Sequence, residues 1–432
     1  MNTNGIVSGP RLPGWRHGPA WSSRDARDAR GLRHGLRGRF QLPVFSPLPA
    51  SAIRHGLYRA LRPSVDCRRD LAVLLRRKYD ADVAILCAGG TQALELAIRA
   101  ARRLVGERAP VALPAFTCFD VATAAVGAGA AIALYDIDPV TLAPDADSLE
   151  RVLAAGARIV VVSHLYGVPV PWDAVTACAT RRGAIVIEDA AQGHGGAWRS
   201  RPLGALGDIT ALSFGRGKGW TGVKGGALLL RSSGTALVEG NDEPSTTGLT
   251  EECRILVSAV AQLALGRPGV YAMPRALPWL GLGETQYRDP TPARGIAALA
   301  AALVGITLPD AETEAGIRRS NASHYQLALA GRRAQHFAAP AGSIAGYLRY
   351  PVRMKGGIDG LGPIEQSLRL GIAPGYPAPL DSLASVRARM RAPAVDIAGA
   401  RMLARDLITL PTHSLLSITD RERVLQVLDT HA

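Results

Sequence analysis

Residues 185–194, IVIEDAAQGH, decide the reading of this chain. The apolar run Ile185-Val186-Ile187 leads straight into Glu188-Asp189, and the chain then turns through Ala190-Ala191 to Gln192. A short apolar run with no polar alternation has the pattern of a strand covered on both faces, as in a parallel sheet. A carboxylate that ends such a strand needs a compensating partner, because an unpaired buried charge is costly. A protonated pyridine nitrogen would serve Asp189; capping of the following turn is the other reading that the spacing allows.

The same pattern recurs on both sides of this stretch. Residues 70–79 read as a helix and 83–86 as a strand; 91–104 reads as a helix with Leu94, Ala97, Ile98 and Ala101 at three-and-four spacing. Strand patterns at 111–113, 131–135, 159–162 and 185–187 alternate with helical stretches near 119–128, 145–154 and 172–182. Strand candidates at 209–214 and 227–230 follow with no helix between them. Strands joined by helices imply a largely parallel sheet with helices on both faces, whose ligands bind at the carboxyl ends of the strands. The loops at those ends hold the unusual residues: 88–91, 114–120, 163–164, 188–195 and 215–218.

Two of these loops carry further chemistry. In residues 211–226, ALSFGRGKGWTGVKGG, an apolar strand runs into glycines that flank Lys218. A lysine amine in a partly dry pocket is a competent nucleophile toward an aldehyde; a point charge for phosphate is the alternative. Gly89-Gly90-Thr91 precedes a helix whose first backbone N–H groups suit a phosphate, although an N-cap at Thr91 would explain the turn without a ligand.

Composition narrows the function classes. The chain has 432 residues, 47% apolar and 20% charged, which is ordinary for a globular chain of two or three domains, and its net charge of +14 is compatible with an anionic substrate, nucleic acid or a membrane surface. Residues 1–40 hold eight Arg and two Asp, so a tail without periodicity supplies +6 of the excess, and no nucleic-acid reading motif accompanies it. Five cysteines at 67, 87, 118, 178 and 253 form no CxxC pair, which argues against a disulfide framework and against a metal site. No apolar run reaches the length of a membrane span, and no secretory h-region follows the N-terminal charges, though the Arg-rich start weakly resembles a transit peptide. The expectation is a cytoplasmic chain with a mobile tail at 1–40, a large domain at 41–295 and a smaller domain at 296–432, divided by the Pro/Gly-rich stretch 267–295.

In this order, CAGGTQALELAI (87–98), PAFTCFDVATAAVGAGA (114–130), YDIDPVTL (135–142), SHLYGVPVPWD (163–173), IEDAAQGHGG (187–196) and LGDITALSFGRGK (206–218) resemble the DegT/DnrJ/EryC1/StrS family of sugar aminotransferases, as does the closing LPTHSLLSITDRERV (410–424). The resemblance implies the type I fold of pyridoxal-phosphate (PLP) enzymes: an α/β large domain with a mostly parallel sheet, and a smaller C-terminal α/β domain. It implies that Lys218 forms the imine with the cofactor aldehyde and that Asp189 pairs with the pyridine nitrogen. Gln192 would lie near the phenolic oxygen, and Ser213, Gly90 and Thr91 would cradle the phosphate. Where the family places a stacking aromatic ring this chain has Cys118, with Phe119 or Phe116 as the substitute. Arg216 stands for a frequent Pro, Lys224 for a frequent acid, and Pro292-Ala293-Arg294 for an Asn-Tyr-Arg element that reaches the partner subunit. The implied reaction moves an amino group from glutamate to a nucleotide-linked keto sugar in a homodimer. A catalytically silent PLP-binding partner and a type I enzyme acting on amino acids are the alternatives. His164 and His413 read as structural histidines, and His194 receives no chemical role.

Overall fold

The computed structural model describes residues 39–231, 247–272, 285–332, 334–391 and 396–431; most of the Arg-rich tail at 1–40 lies outside them. Helices α1 (Ala50–Ala60) and α2 (Cys67–Tyr79) come first. The Asp66 carboxylate caps α2 by accepting from the backbone N–H groups of Arg68 and Arg69, so this helix starts three residues before the periodic pattern does. A βα alternation follows: β1 (Val83–Cys87), α3 (Gly90–Val105), β2 (Val111–Pro114), α4 (Phe119–Gly127), β3 (Ile132–Tyr135), α5 (Ala146–Ala154), β4 (Ile159–Ser163), α6 (Trp172–Arg181) and β5 (Ile185–Asp189). The chain then makes the small hairpin β6 (Ala197–Trp198) and β7 (Arg201–Pro202), and returns as β8 (Ile209–Ser213) and β9 (Gly226–Leu230).

These strands form a seven-stranded sheet in the order β1-β9-β8-β5-β4-β2-β3. β3, β2, β4, β5 and β8 are mutually parallel, and β9 runs antiparallel to both β8 and β1. The reversal follows from the sequence: no crossover helix separates β8 from β9, and without one a chain cannot re-enter the sheet in parallel. Residues 159–162 are wholly shielded from solvent, as a strand covered on both faces must be.

Beyond α7 (Leu249–Leu265), the 32-residue helix α8 (Ala298–Leu329) runs past the sheet. The indole Nε1 of Trp220 donates to its Val304 carbonyl at 2.8 Å. A second sheet, in the order β10 (Gln335–His336), β12 (Tyr350–Arg353), β14 (Leu407–Leu410) and β13 (Ala373–Pro374), follows, while β11 (Ser343–Ile344) joins the β6–β7 hairpin. Helices α9 (Ala398–Asp406) and α10 (Ile418–His431) complete the described chain. This is the α/β architecture with a mostly parallel large sheet expected from the sequence. No helix among the described residues is long and apolar enough to cross a membrane.

Candidate active site

A cavity opens at the carboxyl edge of the large sheet, where loops after β1, β2, β4, β5 and β8 converge. Gly90, Thr91, Cys118, Asp189, Gln192, Ser213 and Lys218 line it together. Phe119 does not. Its ring is 7% exposed and packs in the core beneath α4, because Cys118 is the N-cap residue of that helix and the next side chain turns inward. Phe116 is also wholly buried in the core.

Asp189 ends β5 with 9% of its surface exposed. Its Oδ2 accepts from Ser163 Oγ at 2.7 Å and its Oδ1 from the Ala191 backbone N–H at 3.1 Å. The turn-capping bond anticipated from spacing is therefore present. It leaves capacity, since a carboxylate offers about four acceptor sites.

Lys218 lies between Gly217 and Gly219, whose φ angles are 77° and 80°. Both sites are in the left-handed region that glycine alone adopts without strain. A Cβ at Gly219 would also collide with the guanidinium of Arg318 on α8. The lysine loop is thus shaped by two glycines and backed by a buried cation.

At the other wall, helix α3 begins at Gly90, with Gly89 as an N-cap that supplies no side-chain hydrogen bond. Thr91 is inside the helix, so capping by Thr91 does not explain this turn. A Cβ on Gly90 would sit 2.5 Å from the Ser213 Cβ; glycine here brings helix-end N–H groups against a serine hydroxyl, an arrangement suited to an anion.

Gln192 holds its place through both ends of its amide: Oε1 accepts from the Tyr166 N–H at 2.8 Å and Nε2 donates to Tyr376 Oη at 2.6 Å. One amide N–H remains for a ligand. Burial, and then neighbouring Tyr166, push the Tyr376 phenol well above its ordinary range. Burial pushes the Cys118 thiol up to about 12, with Asp120 adding to the effect, so this cysteine stays protonated. Tyr376, from the distant C-terminal region, and Ser163 complete the cavity wall. Loop 163–164 was legible as part of the edge, but no local pattern marks Tyr376, which reaches the site only through the packing of the second sheet.

The histidines are structural in geometry. His164 is buried, with Nε2 3.2 Å from Glu188 Oε1 and Nδ1 accepting from the Val170 N–H, although its wall also borders the cavity. His413 is buried with Nε2 2.7 Å from the Leu42 carbonyl. His194 packs against Trp220 at 5.2 Å between ring centroids. Lys224 pairs with Glu251 at 3.2 Å. The segment 292–294 is held by Gln92, which donates to the Pro292 carbonyl at 2.9 Å and accepts from the Arg294 N–H at 3.2 Å.

Residues 68–238 match the DegT/DnrJ/EryC1/StrS aminotransferase family. The L-glutamine:2-deoxy-scyllo-inosose aminotransferase of Streptoalloteichus tenebrarius is 37% identical over 146 residues, 34% of this chain and 34% of its own length. The 3-amino-5-hydroxybenzoate synthase of Amycolatopsis mediterranei is 30% identical over 205 residues, 46% of this chain and 52% of its own. The chain thus spans about a third to a half of the length of the curated relatives it matches. The PLP form of the putative sugar aminotransferase Spr1654 from Streptococcus pneumoniae superposes with a TM-score of 0.69 at 20% identity, covering 90% of this chain and 98% of that one, which shows the shared fold. The matched stretch, residues 68–238, is thus similar to the DegT/DnrJ/EryC1/StrS aminotransferase family and contains Gly90, Thr91, Cys118, Asp189, Gln192, Ser213 and Lys218.

Proposed function

We propose that the chain is a PLP-dependent aminotransferase that transfers an amino group from an amino-acid donor to the ketone of a cyclic polyhydroxy compound. The observation that carries this reading is the meeting of Lys218 and Asp189 in one cavity with a helix N-terminus. When bound, the cofactor supplies an electron sink for the charge that develops as the donor's α-proton moves. Lys218 Nζ is the amine that would hold the cofactor's aldehyde and would then serve as the base that carries that proton. Asp189, oriented by Ser163 and the Ala191 N–H, is the carboxylate that would pair with the ring nitrogen. Ser213 and the first N–H groups of α3 would hold the phosphate, and the free amide N–H of Gln192 would serve the phenolic oxygen. Cys118, in place of an aromatic ring, gives a small thiol face toward the cofactor, and Phe119 supports it from the core.

For the acceptor, the sequence resemblance points to a nucleotide-linked keto sugar and the curated relatives to a keto cyclitol; for the donor, these point to glutamate and glutamine respectively. We favour glutamine and a free keto cyclitol, because that relative matches at 37% identity. A cytoplasmic homodimer, with a large domain at 41–295 and a small one at 296–432, completes the proposal. The experiment is a screen of purified protein with PLP, each donor and each class of ketone, read by mass spectrometry for the aminated product. Binding of PLP with an absorption band that ignores every donor would instead favour the silent partner, and turnover between amino acids and keto acids alone would favour the third reading.

A further inference from the structure

Next to the site lies a second, larger cavity of about 1070 Å³. It reaches the far side of the lysine loop, since Arg216 and Gly217 line it while Lys218 lines the first cavity. Four arginines border it: 216, 267, 288 and 349. Three of them are exposed and are solvated cations of little consequence.

Arg349 differs. It is partly buried, its Nε is shielded with no hydrogen-bond partner, and it makes no ion pair with any carboxylate among the described residues. Of the two carboxylates on the same cavity wall, Asp310 is exposed and Glu314 accepts from the Ser414 N–H at 2.9 Å. The charged and polar groups that act on Arg349 are the phenols of Tyr166, Tyr376 and Tyr271. Tyr376 belongs to the wall of the first cavity and stacks on Tyr166 at 5.5 Å. The Tyr166 hydroxyl is buried and likewise has no hydrogen-bond partner among the described residues. A guanidinium whose Nε is shielded, with no anion among the described residues, is one that a ligand carboxylate can complete.

The position is also rigid. Arg349 immediately precedes β12, whose Tyr350 pairs with Leu410 of β14, and Thr412 Oγ1 donates to the Tyr347 carbonyl at 2.8 Å just upstream. A cation fixed this way is pre-organised for a planar carboxylate, which arginine grips through parallel N–H bonds.

We propose that Arg349 binds the carboxylate of a substrate that approaches Lys218 from the larger cavity. The identity of that substrate rests on the aminotransferase reading: the α-carboxylate of the amino donor, or a ring carboxylate on the acceptor. Binding can be measured without turnover, so a chain that binds a carboxylate but never transaminates counts against the proposed function alone.

The test is calorimetric titration of the full chain with L-glutamine, with 4-aminobutanamide, which lacks the α-carboxylate, and with 3-hydroxybenzoate as a ring carboxylate. The parent protein is expected to bind at least one of the two carboxylates and to bind 4-aminobutanamide more weakly than L-glutamine if the donor is the source. Arg349→Gln should weaken the carboxylate that binds by roughly 10- to 100-fold, Arg349→Lys should recover part of the loss, and the melting temperature of neither variant should fall below the parent's. The ligand that loses affinity names the source. Failure of the parent to bind either carboxylate, or an unchanged Kd for both in a folded Arg349→Gln protein, would overturn the proposal.

Discussion

The two sides of the β5 terminus treat a carboxylate in opposite ways. Behind the strand, Glu188 is fully buried and saturated: it accepts from the N–H groups of Gly204, Leu206 and Gly207 at 2.6, 2.9 and 3.1 Å, from Thr210 Oγ1 at 3.1 Å, and from His164 Nε2 at 3.2 Å. In front, the next residue, Asp189, accepts from two donors and keeps the rest of its capacity toward the cavity. Successive strand residues point to opposite faces, so one dipeptide supplies both a saturated anion and one that borders the cavity. Burial alone would raise the Glu188 carboxyl, but the His164 bond and the backbone N–H groups outweigh it and hold it below the usual carboxylate range. What distinguishes a fold-holding acid from a site acid here is the number of protein donors, not burial.

The largest effect expected belongs to the front. Lys218→Ala should lower turnover by on the order of 10,000-fold or more while leaving the urea unfolding midpoint unchanged; a variant that keeps the parent rate would remove the front face's chemistry altogether. Behind the strand, Glu188→Gln places an amide N–H₂ among donors and removes the charge they converge on, so chemical denaturation should show a loss of about 3–5 kcal/mol. Asp189→Asn sharpens the contrast: activity should fall about 100-fold with stability within about 1 kcal/mol of the parent. Equal destabilisation by the two substitutions would erase the distinction between the faces.

His413 gives a fourth, pH-dependent test on the structural side. Burial lowers its pKa from 6.5 to about 4, and the bond to the Leu42 carbonyl only partly opposes this. The unfolded chain therefore binds a proton that the native one refuses between those values. The contribution is whole above about pH 6.5 and falls by about 3 kcal/mol as the pH drops toward 4. His413→Gln should flatten that slope in denaturation measured across this window. The smallest effect is Tyr376→Phe, which removes one hydrogen bond to Gln192; a loss of about 1 kcal/mol in PLP affinity or less is expected, read by fluorescence titration.

The large sheet was legible because each of its strands carries an apolar run long enough to be recognised alone. The antiparallel turn of β9 could be anticipated from the missing crossover. The site was legible in part: Asp189, Gln192, Ser213 and Lys218 sit at strand ends, which place them at one edge whatever the side-chain details. Phe119 was the harder case, since one residue of helical rotation separates the cavity from the core, and only the position of the N-cap at Cys118 selects between them. The β6–β7 hairpin, with two-residue strands, carries no periodicity to detect.

Alone, the amino-acid order determined the α/β alternation, the acid and the lysine at strand ends, and the family likeness, because these depend on local periodicity and on neighbours in the chain. Only the tertiary structure decided that Glu188 is saturated and Asp189 is not, that Tyr376 closes the cavity, and that Arg349 is left without an anion among the described residues. Those outcomes depend on how many donors and acceptors distant segments bring to one point, and no local pattern records that number.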